Sequence, residues 1–160
     1  MKRKLFTGSL ILLAAVVLGA VTPKQALASC TQAGTAGKYG FTLTGFLITQ
    51  SGPVPIAAVG RASVDAAGNV TGTEARSVAG GYAEETLSGT ISVNPDCTGS
   101  MTIRFYENGQ LVRTSVLSTV TDINGKELRM VQKSLTLPNG TALPVVITVE
   151  ARRIFSEDED

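Results

Sequence analysis

Short runs of alternating apolar and polar residues, separated by turns rich in glycine, asparagine and proline, make up most of this 160-residue chain. After residue 37 the turn signals recur about every ten to fifteen residues, and no long amphipathic helical period lies between them. The pattern therefore predicts an all-β domain. Its eight candidate strands are 38–50, 56–65, 69–78, 81–94, 100–107, 110–121, 126–136 and 144–154.

The short connections predict tight hairpins, in which each strand pairs with the next. Pro53 and Pro55 are expected to hold the first connection open. Glycines inside the candidate strands favour a sheet that bends and closes on itself, which also removes exposed edges. We therefore predict a small up-and-down antiparallel β-barrel of about eight strands. The glycines concerned are Gly45, Gly60, Gly72 and Gly89.

The N-terminus has the three parts of a secretory signal peptide at residues 1–28. They are a basic start, an apolar stretch over 5–21, and small residues at Ala26 and Ala28. We expect cleavage after Ala28 and an exported protein, periplasmic or extracellular. The remaining chain would be a β-barrel domain over 29–156, followed by the acidic segment 157–160, which we expect to be a solvated, disordered tail.

Cys30 has two competing interpretations. Leu27-Ala28-Ser29-Cys30 also reads as a lipobox, on which Cys30 would carry the lipid anchor of a lipoprotein. Polar residues between the apolar stretch and this segment count against that interpretation, and so does the partner that Cys97 would then lack. Two cysteines in an exported chain most simply form one disulfide, Cys30–Cys97. In an up-and-down barrel, both positions fall at the same end.

Composition excludes several function classes. The chain has no histidine, which removes the commonest general base, the usual nucleophile triads and most zinc sites. Without its four N-terminal basic residues the chain has ten basic and thirteen acidic residues, a net charge of −3, and no basic patch with interleaved aromatics. We therefore expect no nucleic-acid partner, no metal and no cofactor, and no membrane span after cleavage.

Three charged residues are candidates for a site inside the barrel. Glu74 and Arg76 share one face of the third strand, and Glu85 shares the parity of Leu87 and Ile91 on the fourth. A buried cluster of these three could orient a polar ligand. The alternative is that they lie on the wet face or at the barrel mouth. Arg61 is expected to be exposed, because burying an unpaired guanidinium is costly.

Several segments taken together resemble a group of short exported bacterial proteins of uncharacterised activity. They share a pattern of Cys30, then Gly37-Lys38-Tyr39-Gly40-Phe41, then Asn94-Pro95-Asp96-Cys97-Thr98-Gly99, over most of the chain after Ala28. The resemblance implies a small secreted β-barrel, similar in architecture to lipocalin-like or allene-oxide-cyclase-like barrels. It implies no activity, because fold alone does not fix function.

The favoured function is therefore non-enzymatic: the barrel binds a small, apolar molecule, or serves as an envelope or extracellular accessory protein. A structural or adhesive module that assembles through strand edges is a second possibility, and an open sheet would favour it. A cyclase or isomerase is a third, and it requires Glu74, Arg76 or Glu85 to converge on a cavity.

Overall fold

Nine β-strands and one turn of 3-10 helix are present in the computed structural model, which describes residues 29–154. The predicted signal peptide and the acidic tail lie outside these residues. The elements are η1 (Ala33–Thr35), β1 (Gly37–Thr49), β2 (Gly52–Val64), β3 (Asn69–Val78), β4 (Gly81–Val93), β5 (Thr98–Glu107), β6 (Gln110–Thr121), β7 (Glu127–Thr136), β8 (Ala142–Leu143) and β9 (Val145–Arg153).

The sheet closes into a barrel of eight long antiparallel strands. Strands β1 to β7 each pair with the next in sequence, β7 pairs with β9, and β9 returns to pair with β1. The two-residue β8 is an extra strand paired with the end of β7. The predicted up-and-down barrel is therefore confirmed, and its first and last strands leave no open edge between them.

Strand β2 begins earlier than predicted. Pro53 and Pro55 lie within it, opposite Ile48 and Phe46 of β1, and do not hold a loop open. The backbone N–H of Ile48 donates to Pro144 on the other side of β1, so the missing N–H groups of these prolines face away from β1. On the far side of β2, which these groups would face, the pairing with β3 begins only at Ile56, so prolines at 53 and 55 are tolerated.

Turn chemistry and alternation follow the sequence pattern closely. Asn108 and Gly109 both have positive φ at the β5–β6 hairpin, as do Gly68, Gly80 and Gly125 in their own turns. Inward positions of the strands form one apolar core. A Cβ on Gly89 would overlap the backbone oxygen of Thr102 on β5, so this glycine allows the close approach of neighbouring strands.

One end of the barrel, which we call the disulfide end, is closed by residues 30–36. Cys30 is bonded to Cys97 with their Cα atoms 5.0 Å apart, so the predicted disulfide is confirmed. The hydroxyl of buried Tyr39 lies 2.8 Å from the carbonyl oxygen of Thr35 and 2.6 Å from that of Gly125. Nη2 of Arg153 donates to the carbonyl oxygens of Gly34 and Ala36, at 2.9 and 2.8 Å.

The opposite end, which we call the mouth, is formed by the β1–β2, β3–β4, β5–β6 and β7–β8 turns. Up-and-down connectivity places every second connection at this end. The segment 137–144, which contains β8, lies at this end and contributes Leu137 and Leu143 to the wall of a cavity there. Solvent reaches the interior from this end, where the side chain of Arg76 is 19% exposed.

Candidate functional site

Glu74 and Glu85 lie inside the barrel. They occupy directly paired positions on β3 and β4, and each residue is only 3% exposed. Arg76 lies two residues closer to the mouth on β3, on the same face as Glu74, and 19% of its side chain is exposed. The alternative from the sequence, that these charges lie on the wet face or at the barrel mouth, is therefore wrong for the two buried glutamates, whereas Arg76 lies towards the mouth and is partly exposed. Glu84 points outward, as alternation requires.

A fourth residue, Arg113 of β6, completes the cluster. Its Nη2 donates to Glu74 at 2.6 Å, and its Nη1 donates to Glu85 at 2.7 Å. Arg76 donates to Oε1 of Glu85 from both Nε and Nη2, at 3.1 and 2.9 Å. The guanidinium of Arg113 also lies over the ring of Phe105, 3.9 Å from its centroid. Each buried carboxylate is thus paired with a guanidinium.

Small residues on neighbouring strands make room for these long side chains. Gly60 and Ala58 of β2 lie opposite Glu74 and Arg76, and Ala83 of β4 lies opposite Arg76 on the other side. Larger side chains at these inward positions would occupy the space that the charged groups fill. At the level of the cluster, the neighbouring strands therefore present only small side chains to the interior.

The two buried carboxyl groups have different pKa values, because burial dominates at Glu74 and hydrogen bonds from guanidinium groups dominate at Glu85. Desolvation raises the pKa of Glu74 to about 7, Arg113 opposes this, and the neighbouring Glu85 carboxyl adds to it. Burial also disfavours the charged form of Glu85, but hydrogen bonds from Arg76 and the charge of Arg113 outweigh it and lower the pKa of Glu85. At neutral pH, Glu85 is ionised and Glu74 is close to half protonated.

A cavity of about 170 Å³ lies above the cluster at the mouth. Its floor contains Arg76 and Arg113, and neither Glu74 nor Glu85 is among its described lining residues. Its rim consists of half-buried apolar side chains, and solvent reaches the floor at the exposed part of Arg76. The rim residues are Leu47, Val78, Val112, Leu137 and Leu143.

A second, smaller cavity of about 60 Å³ lies on the side of the cluster nearer the disulfide end, and Glu74 is on its wall. Four side chains line both cavities and separate them: Leu43, Phe105, Ser115 and Gln132. Gln132 donates to the hydroxyl of Ser115 at 3.0 Å, so this partition contains a satisfied polar pair. The barrel interior is thus divided into an outer, larger cavity and an inner, smaller one.

Other candidate features lie outside this site. Arg61 is exposed on β2, as expected. Among residues 29–154, no group of three or more acidic or cysteine side chains is placed to hold a metal ion. No helix in the same residues has the length and apolar character needed to cross a membrane.

Sequence reasoning missed Arg113, Ser115 and Gln132. Arg113 and Ser115 lie four and two residues before buried Leu117 on the same strand. Alternation would therefore have placed both side chains inside the barrel with Leu117. Strand β6 is apolar on both faces in places, however, and this obscured its inward side. A register shift opposite Phe105 and Tyr106 adds to the difficulty, because both Val112 and Arg113 line the mouth cavity.

Comparison with known proteins shows similarity in fold alone. No family model and no curated protein matches the chain. Among solved structures it is similar to EF1p2_mFAP2b bound to DFHBI, with 11% identity, a TM-score of 0.52, and coverage of 76% of this chain and 94% of that chain. It is also similar to the redesigned β-barrel b11L5F_LGL, with 13% identity, a TM-score of 0.49, and coverage of 79% and 99%.

Proposed function

We propose that this chain is an exported, non-enzymatic barrel that binds one small, largely apolar molecule in its mouth cavity. The observation that carries the proposal is the cavity itself, which has an apolar rim, a polar floor and access from one end of the barrel. Concave apolar sites with a few convergent polar groups are the usual form of small-molecule sites. The similar barrel EF1p2_mFAP2b was solved bound to DFHBI, which makes DFHBI a reasonable probe.

Export is supported by the disulfide. Such bonds persist in oxidising compartments outside the cytoplasm and are rare in cytosolic proteins. The Cys30–Cys97 bond also favours ordinary cleavage after Ala28 over lipidation, because one sulfur cannot carry both a disulfide and a thioether to lipid. Intact mass spectrometry of the exported protein tests this. We expect a chain beginning at Ser29 that is two hydrogens lighter than its reduced form. A diacylglyceryl adduct on Cys30 would mean a lipoprotein.

A barrel-pocket cyclase or isomerase is the second candidate. Glu74 favours it, because this carboxyl lines the inner cavity and its pKa of about 7 suits a general acid or base. Size argues against a reaction in the inner cavity, which has about 60 Å³ and is much smaller than the cavity of roughly 150 Å³ that accommodates benzene. A module that assembles through strand edges has less support, since β1 and β9 are paired with each other.

The binding proposal is tested by native mass spectrometry of the purified exported protein with 1-hexanol, benzyl alcohol and DFHBI. The variant Val112→Trp places a large ring in the mouth cavity, and Leu143→Trp does so from β8. Val146→Trp is the matched control, because Val146 is 62% exposed on the outer face of β9. We expect one bound probe on the wild type and on the control, and none on either mouth variant.

Two outcomes oppose the proposal in different ways. Absence of binding by all three probes to the folded wild type would remove it. Equal binding to the wild type and to both mouth variants would show that the molecule sits elsewhere. Far-ultraviolet circular dichroism of each variant establishes that the β-sheet is intact, so that loss of binding reports on the cavity.

A further inference from the structure

The mouth cavity presents cationic donors to whatever enters it. Arg76 and Arg113 form its charged floor, and the two carboxylates that pair with them are not among its described lining residues. Arg76 has five N–H groups and uses two of them on Glu85, with no other hydrogen bond among residues 29–154. The unused N–H groups of a partly exposed guanidinium are suited to a planar anion such as a carboxylate.

The charge of the cluster decides whether an anion is favoured. With all four groups ionised, Arg76 and Arg113 balance Glu74 and Glu85, and the cluster is neutral. One proton on Glu74 leaves a net charge of +1, which one carboxylate would neutralise. Only uncharged positions of β2 and β5 face the cluster from either side, among them Gly60 and Phe105. The titratable and charged groups around Glu74 are therefore Arg76, Glu85 and Arg113.

The proton site has structural support. Oε2 of Glu74 and Oε2 of Glu85 are both buried without a hydrogen-bond partner in the described part of the chain. Two such oxygens on directly paired residues are costly when both carboxyl groups are ionised, and one proton between them would satisfy both. The raised pKa of Glu74 agrees with this geometry.

Cavity volume limits the size of the apolar part. A dry cavity of roughly 150 Å³ accommodates benzene, and the mouth cavity has about 170 Å³. One six-membered ring or a chain of about six carbons therefore fills it. A longer tail would extend past the rim into solvent.

We propose that the ligand is a small carboxylic acid with a single-ring or comparably short apolar body, whose carboxylate binds the free N–H groups of Arg76 beside Arg113 while Glu74 holds one proton. This inference rests on the proposed binding function and adds the chemical class of the ligand. It also links binding to pH, because the cluster and the ligand together are neutral only when Glu74 is protonated; where Glu74 is ionised in the free protein, binding takes up one proton from solvent.

The test compares benzoate with benzamide, which has the same ring and a planar head without charge. Isothermal titration calorimetry on the exported protein from about pH 5.5 to about pH 8.5 should show that benzoate binds more tightly than benzamide. It should also show that benzoate affinity falls, by up to roughly tenfold per pH unit, above the pKa of Glu74. Benzamide affinity should change little over the same range.

Three variants separate the roles of the residues. Glu74→Gln keeps the cluster at +1, so benzoate affinity should stay at its low-pH level throughout. Arg76→Gln removes the free donors and should reduce benzoate affinity at least tenfold while leaving benzamide within about twofold, an estimate based on the strength of charged hydrogen bonds. Arg104→Gln is the matched control, because Arg104 is exposed on the outer face of β5.

The outcomes distinguish the carboxylate inference from the proposed binding of an apolar molecule in the mouth cavity. Equal binding of benzoate and benzamide, or benzoate binding that does not depend on pH, would overturn the carboxylate inference and leave an apolar binding site. Failure of benzoate and benzamide together with 1-hexanol, benzyl alcohol and DFHBI would overturn both.

Discussion

Replacing Glu74 by glutamine should remove a pH dependence of the folding free energy that the wild type carries between pH 4.5 and about 7. The folded chain holds a proton on Glu74 up to a pKa of about 7, whereas the ordinary value is 4.5. In this window the folded state binds more protons than the unfolded state, so the free energy of unfolding falls as pH rises. Glutamine imitates the protonated carboxyl and does not titrate.

The magnitude follows from the two pKa values. The interval from 4.5 to about 7 corresponds to about 3 kcal/mol, since one pH unit is worth about 1.4 kcal/mol. The lowered pKa of Glu85 acts in the opposite direction, but only below its ordinary value of 4.5, outside this window. Glu74→Gln should therefore match the wild type near pH 4.5 and exceed it by up to about 3 kcal/mol near pH 8.5.

Urea denaturation at a series of pH values, with the disulfide intact, measures this difference directly. Glu84→Gln is the control on the adjacent strand, because Glu84 is exposed to solvent on the outer face of β4. Its difference from the wild type should be flat over the window. The reasoning fails if the difference for Glu74→Gln is equally flat, or if that variant is the less stable protein near pH 8.5.

Three further variants test the parts that hold the barrel and its cluster together. Arg113→Met leaves two buried carboxyl groups without their shared partner and should cost about 3–5 kcal/mol by urea denaturation at neutral pH; a loss below about 1 kcal/mol would contradict the pairing. The double variant C30S/C97S should cost about 4 kcal/mol, since the bond closes a long loop, and an unchanged thermal midpoint would argue against that role. Tyr39→Phe leaves buried carbonyl groups without a hydrogen-bond donor and should cost about 1–3 kcal/mol. Stabilisation by this substitution would mean that the hydroxyl of Tyr39 is unpaired in the wild type.

The barrel could be predicted from the sequence because its determinants are local. Period-two alternation and turn residues specify a meander, and the parity of Glu85 with Leu87 identifies its inward direction. The disulfide was predicted from two cysteines in an exported chain, and the same topology supported it, since alternate turns share an end. Where the prediction was wrong, the cause was not local: Pro53 and Pro55 are tolerated within β2 only because β3 begins its pairing later.

The candidate site was less predictable, for a related reason. Register shifts near Val112 in β6 and near Gln132 in β7 change which side chains point inward part-way along a strand. Arg113 and Gln132 lie directly beside these shifts and keep the parity of Leu117 and Met130, but two adjacent inward positions obscure which face of the strand is the buried one. Arg113 reaches Glu74 from three strands away, and no sequence spacing records that contact. The pairing partner that allows two glutamates inside the barrel is therefore visible only in three dimensions.

The buried cluster is best explained by a role other than stability. Replacing a buried ion network by apolar side chains of similar volume often leaves the stability of a protein unchanged or raises it. The reason is that the cost of removing the charges from water offsets most of their mutual attraction. At Glu74 desolvation outweighs the attraction, since its pKa is raised even with Arg113 beside it, and ionised Glu74 therefore lowers stability at neutral pH. A cluster that reduces stability while placing guanidinium groups at the floor of an accessible cavity is the arrangement that an anion-binding site requires. The same cost becomes useful on binding, because the proton on Glu74 supplies the charge that a carboxylate ligand neutralises.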